Sequence, residues 1–291
     1  MLLLLITSFI WAFSFGLIKN YLGGLDAGFV AFARLALSLL LFLPLLRPRK
    51  ISAAMTLRLF LIGTIQFGLM YVFYIQSFRF LAAHQVALFT IFTPLYVTAV
   101  DDLWEKRFRP LHFWTALLAV AGTAMIVYSK LGKDDLLVGF ALVQASNLCF
   151  ALGQIFYRRL MPAVRIWKDR EGFAWLCLGG TTAAGLAMLL VTGLPDLILD
   201  NGQVLVLLYL GLLASGVGFF LWNVGATKVS AGLLAVSNNV KIPLAIAVSL
   251  LFFHERTDLV RLALGGAMIL LALVLNSQHG KNKSLPSQNR T

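Results

Sequence analysis

The chain has 291 residues, of which 60% are hydrophobic and only 12% charged, with a formal net charge of +12 and a mean hydropathy of +0.87. A soluble globular protein is excluded, because apolar stretches of about 20 residues, the length that crosses a bilayer core of roughly 30 Å as helix, recur almost from end to end. The positive balance points to basic residues sorted to cytoplasmic loops rather than to nucleic acid, and Cys149 and Cys177 lie inside apolar runs with neither a disulfide framework nor metal-ligand spacing.

Turn residues and charge clusters divide the chain into ten predicted spans. Span 2–18 opens with leucines after Met1, lacks a basic leader and a small-residue cleavage site, and so reads as a helix carrying Trp11 and Phe15 on one face, not as a signal peptide. Span 27–46 holds Arg34, which can snorkel outward or pair with Asp26. Span 58–78 aligns Gln66, Phe73 and Ser77; span 82–100 carries Phe92 and Pro94 ahead of Glu105-Lys106; span 111–129 follows. Span 136–157 aligns Gln144, Asn147 and Gln154, span 173–192 is apolar, and span 204–223 aligns Ser215, Phe219 and Trp222. Span 231–253 contains Ser237, Asn238, Lys241 and Pro243, and span 259–276 precedes a tail at 277–291. Each polar stripe is open to two readings, helix packing or pore lining. Together they would wall a cavity with a few hydrogen-bonding groups among aromatic rings. Basic clusters at Arg47–Lys50, Lys106–Arg109, Arg158–Arg170 and Lys281–Arg290 fall on the side of the amino terminus, so both termini are expected in the cytoplasm.

The chain also repeats itself. Trp11-Ala-Phe-Ser-Phe-Gly-Leu-Ile-Lys19 is echoed by Phe150-Ala-Leu-Gly-Gln-Ile-Phe-Tyr-Arg158, and the fourth and ninth spans each carry a proline followed by an acidic-basic pair, Glu105-Lys106 and Glu255-Arg256. Each half has five spans, an odd number, so the second half enters the bilayer in the opposite sense to the first. The expected fold is an all-α membrane protein with ten transmembrane helices in two inverted five-helix repeats, 2–129 and 136–276.

At these residues the chain resembles the drug/metabolite transporter superfamily, in its ten-helix EamA-type branch of bacterial exporters and permeases. The resemblance rests on Trp11-Ala-Phe-Ser-Phe, on Arg34-Leu-Ala-Leu, and on Pro94 and Pro243 with Glu-Lys and Glu-Arg eleven or twelve residues further on. It implies a carrier in the bacterial inner membrane with a central cavity between the repeats, alternating between inward-open and outward-open states. The chain departs from the pattern in having Lys241 before the second proline, where many members have an uncharged or acidic residue.

Lys241 is the strongest single signal. It stands mid-span, where a lysine costs roughly 2.5 to 3.5 kcal/mol on insertion scales and either interface is about 15 Å away, beyond snorkelling reach. It either hydrogen-bonds neighbouring carbonyls and holds helices together, or meets an anionic substrate group in a cavity; the second reading is preferred. Ser237 and Asn238 share its helix face, and Pro243 bends the helix and frees the Asn239 carbonyl. In the fourth span Pro94 would free Thr90, and the position matching Lys241 is Phe92, an aromatic wall facing a charged one. Candidate substrate-binding residues are therefore Lys241, Asn238, Ser237, Asn147, Gln154, Gln66, Trp11, Phe15, Phe92 and Trp222, with Pro94 and Pro243 as kinks.

All twelve acidic residues fall in loops or at span ends. Lipophilic-cation efflux, which needs an intramembrane acid as a shared site, is disfavoured, and a small organic anion or zwitterion such as an amino acid is favoured. The alternative is an intramembrane enzyme or lipid-handling protein. It lacks support, since no HExxH or GxSxG occurs, no acidic pair shares a membrane depth, and His254-Glu255-Arg256-Thr257-Asp258 lacks the second zinc histidine. No cofactor, metal or nucleic acid is expected. The partners are a small-molecule substrate and the lipid bilayer, and nothing in the sequence fixes an oligomeric state.

Overall fold

Without water to bond exposed amides, an apolar chain in a bilayer closes its backbone hydrogen bonds within helices, and every regular element among the described residues is helical. The computed structural model describes the chain except for residues 23, 47–51, 78, 82–85, 87–88, 128–135, 162–168, 192, 195–197, 253–258 and 285–291. In chain order the α-helices are α1 (Leu2–Leu17), α2 (Ala27–Phe42), α3 (Ala53–Gly63), α4 (Met70–Ser77), α5 (Thr93–Glu105), α6 (Pro110–Val127), α7 (Leu136–Leu160), α8 (Asp169–Val191), α9 (Asn201–Leu208), α10 (Gly218–Ala226), α11 (Ala231–Phe252) and α12 (Leu259–Ser284). Among the described residues, six helical stretches are long and apolar enough to cross a membrane: Ala27–Leu45, Ala53–Ser77, Leu136–Leu160, Asp169–Val191, Asn201–Ala226 and Val260–Gln278. Leu2–Ser14 and Pro110–Met125 are shorter apolar helices.

Polar residues at the ends set where several helices start. The Asp26 carboxylate accepts from Phe29 N at 2.8 Å to open α2, Ser52 caps α3, and Asp200 forms a reciprocal capping box with Gln203 at α9. These caps carry α3 and α9 outside the apolar runs, so the helices begin before the predicted 58 and 204. At the far end of the chain, α12 continues to Ser284, into the predicted tail. Span 82–100 departs most from a regular helix. A 3₁₀ turn at Thr90–Phe92 precedes α5, and Pro94 sits in that helix's first turn, where its missing N–H costs nothing. The Thr90 carbonyl is not left open, for it accepts the Thr93 hydroxyl at 2.7 Å. Pro243, by contrast, lies inside α11.

Two π segments, Thr64–Leu69 and Tyr209–Val217, join α3 to α4 and α9 to α10 into continuous rods. A wider π turn loosens the backbone ladder, and the carbonyls at and just beyond these segments are taken up by side chains from other helices. Trp11 Nε1 donates to Ala214 O at 2.8 Å, Ser38 Oγ to Gly211 O at 2.9 Å, Thr7 Oγ1 to Gly218 O at 3.3 Å and Ser146 Oγ to Met70 O at 3.0 Å. Glycines let the rods approach their neighbours. A Cβ on Gly63 or Gly68 would overlap Leu176 or Ala183 of α8, and one on Gly211 or Gly216 would overlap Leu37 or Leu41 of α2. The bundle is completed by α2 against α8, α1 against α10 and α11, α4 and α5 against α7, α5 against α11, and α6 against α12.

Candidate functional site

The bundle lines a partly open cavity with about 120 Å³ accessible to the centres of water-sized molecules. Its wall comes from α1 (Trp11, Ser14), α2 (Arg34), α4 (Met70, Tyr71, Tyr74), the turn and start of α5 (Thr90, Thr93), α7 (Ser146, Asn147, Phe150), α10 (Phe219) and α11 (Lys241), with Ile18 at one edge. Two cations share this wall. Lys241 is partly buried, its Nζ 5.5 Å from the Trp11 ring centroid and 6.0 Å from that of Phe150, a cation over two aromatic rings. Arg34 is 7% exposed, donates from Nε to Ser215 Oγ at 3.1 Å and holds its guanidinium 4.8 Å from the Tyr71 ring centroid. Tyr71 Oη lies 3.4 Å from the same Ser215 hydroxyl. Arg34 thus turns into the bundle instead of snorkelling, and Asp26, the alternative partner for it, caps α2. Among the described residues neither cation has an acidic partner, and no acidic side chain lines the cavity.

Of the residues expected at a site, Lys241, Trp11 and Asn147 line this cavity. Asn147 is held in place by two hydrogen bonds, Nδ2 donating to Phe89 O at 2.9 Å and Gln144 Oε1 at 3.1 Å, and its Oδ1 lies 3.1 Å from the Thr93 hydroxyl, whose one proton is directed mainly to Thr90 O. Gln154, Trp222 and Asn238 form a buried layer off the cavity surface, Gln154 Oε1 accepting from Trp222 Nε1 at 3.0 Å and Asn238 Nδ2 at 3.4 Å. Gln66 donates to Asn223 Oδ1 at 3.0 Å, and Ser237 bonds back to Leu233 O at 2.7 Å within its own helix. Phe92 faces a separate groove with Leu95, Tyr96 and Phe113. Phe15 lies on α1 with its side chain outside the described residues, as do His84 and His254 entirely. Asn239, on another face of α11, bridges to Ile91 O at 3.0 Å and Ala119 O at 3.4 Å.

Sequence reasoning did not single out Ser14, Tyr71, Tyr74, Thr93 or Phe150 as wall residues and weighed Arg34 mainly as a surface group. A charge within an apolar span was the available signal for Arg34. The hydroxyl residues carry no such signal, since serine, threonine and tyrosine are common in any helix bundle.

An apolar helical bundle with a cation-lined cavity defines a polytopic membrane protein with a polar site among its helices. The chain belongs to the EamA-like transporter family, whose model matches residues 1–128 and 137–278, and is therefore a transporter and not an enzyme. It is 38% identical over 275 residues to a protein of Salmonella typhimurium named "Biotin transporter", covering 94% of this chain and 91% of that one. The "Biotin transporter" of Escherichia coli matches at the same identity and coverage. A solved crystal structure shares the fold at a TM-score of 0.79 and 16% identity, over 96% of this chain and 98% of the other.

Proposed function

We propose that this protein is a secondary carrier for a small carboxylated metabolite, biotin or a close relative of it, working by alternating access in the bacterial inner membrane with both termini cytoplasmic. The observation that carries the reading is the pair of cations, Arg34 and Lys241, on one cavity with no acidic neighbour among the described residues. Two positive side chains inside an apolar bundle are costly unless an anion visits them. The names of the relatives supply the substrate: biotin is a monocarboxylate with a compact bicyclic body that joins apolar ring faces to a polar ureido group, which suits the Trp11, Phe150 and Phe219 face of the cavity. An amino acid fits less well, because its ammonium group would meet two cations and no carboxylate.

Rocking of two inverted five-helix repeats, 2–129 and 136–276, is the proposed movement. Shifting the Trp11–Lys19 motif by 139 residues onto Phe150–Arg158 also brings Thr7 onto Ser146. These two hydroxyls donate to carbonyls at equivalent points just past the two π segments, Gly218 and Met70. The glycine contacts follow the same exchange, the rod of each half packing on the second span of the other. Counterflow of labelled biotin in proteoliposomes tests the reading. Accelerated exchange with unlabelled biotin on the far side is expected, and no trans-stimulation by biotin would overturn it.

A further inference from the structure

Two cations and a substrate with one carboxylate raise the question of which cation takes the charge. Aromatic contacts link Arg34 to Lys241 along one wall, each cation with its own aromatic neighbours. Arg34 lies against Tyr71, Tyr71 is 6.1 Å from Phe219, Phe219 is 5.4 Å from Trp11, and Lys241 lies over Trp11. The two settings differ in chemistry. At the first, Ser215 holds the guanidinium through Nε and the Tyr71 ring lies against it, so the Nη groups of this cavity-lining side chain have no protein acceptor among the described residues. A fixed planar fork matches a carboxylate bidentately. At the second, the ammonium is a point donor set among flat apolar rings, Trp11 and Phe150, with no fork to match a carboxylate.

Building on the proposed substrate class, we infer that Arg34 clamps the carboxylate of the substrate, whereas Lys241 donates to an uncharged oxygen on a ring body packed against Trp11 and Phe150. The site then recognises two separate groups of one molecule. Ser215 and Tyr71 are positioning residues that act through Arg34.

The test compares biotin with biotinamide, which keeps the body and loses the charge, by calorimetric binding to the purified full chain. Wild-type protein is expected to prefer the acid by at least about tenfold, as for a desolvated charge-assisted contact. In Arg34→Met the acid loses much more affinity than the amide, so that the two ligands bind within about threefold of each other, and a cooperative thermal unfolding transition reports that the variant is folded. In Lys241→Gln both ligands weaken together and the acid preference persists. Should Arg34→Met not fold, Ser215→Ala decides: a reduced preference with unchanged amide affinity supports the assignment, and an unchanged preference overturns it. Preference retained in Arg34→Met, or lost in Lys241→Gln instead, also overturns it. Wild-type protein that binds neither compound defeats the biotin reading itself, whereas equal binding of both by the wild type defeats only this division of roles.

Discussion

At one end of the bundle Arg109, Arg158 and Arg159 gather around Asp101, whose side chain is 3% exposed; in the cavity Arg34 and Lys241 share a wall with no carboxylate among the described residues. In the first region Arg159 also reaches Glu105 at 2.6 Å, Arg109 N donates to Asp102 at 3.0 Å, and Arg158 spends two donors on Val229 O at 3.0 and 3.1 Å. That cluster ties α5 of the first half to α7 and the α10–α11 connection of the second. The same side-chain chemistry is thus self-neutralised where it joins helices and left uncompensated where a substrate is proposed to sit. A paired charge stabilises the resting protein, while an unpaired one stores its interaction for a ligand.

Neutralising a cavity cation should therefore separate binding from stability. Lys241→Met is expected to weaken biotin binding by about 100-fold, some 2.7 kcal/mol, while the ligand-free melting temperature stays the same or rises, as read by calorimetry and thermal unfolding in detergent. The converse holds for Asp101→Asn, which leaves buried arginines without their shared partner. A loss of about 2 kcal/mol, discounted because those arginines are partly exposed, should lower the melting temperature by roughly 2–4 °C with biotin affinity retained.

A third change tries to turn one region into the other. Ser14 lines the cavity with a buried hydroxyl that has no hydrogen-bond partner among the described residues. Ser14→Glu would tether a carboxylate beside the two cations, and the expected result is a protein that no longer exchanges biotin in liposomes and melts slightly higher than wild type.

The smallest effect is in pH. The hydrogen bond from Arg159, followed by the charges of Arg159 and Arg109, holds the Glu105 carboxyl below its ordinary value. A depressed folded pKa means that the stabilisation is present above the unfolded value of about 4.3 and is lost as pH falls through the folded one. The melting difference between wild type and Glu105→Gln should accordingly hold from neutral pH down to about pH 5 and shrink on further acidification. A difference that does not depend on pH would remove the ion pair from the account of this cluster.

Much of the molecule was legible before any coordinates. Apolar runs gave the helical membrane class because length and hydropathy are properties of consecutive residues, and Lys241 declared itself because one charge in an apolar run is visible locally. The cavity wall was less so. Gln154, Trp222 and Asn238 carry polar groups at sensible helical positions, yet they bond to one another behind the surface, while Phe92 faces another groove. Nothing local distinguishes those outcomes, since both place the same residue on the same kind of face. Arg34 shows the limit from the other side: its span position allowed an outward path, and Ser215, 181 residues away in sequence, together with the Tyr71 ring gives its guanidinium a place inside.

The sequence by itself determined an apolar, helical, membrane-embedded chain with an internal repeat and a lone mid-span lysine, because helix length, hydropathy and charge act through neighbours along the chain. Tertiary structure alone decided that two π segments expose carbonyls for Trp11, Ser38, Thr7 and Ser146, that the Asp101 cluster binds the two halves, and that Arg34 and Lys241 end on one cavity. Those outcomes depend on which helices pack together and at what rotation, and packing is settled by the shapes and donors of residues far apart in the chain.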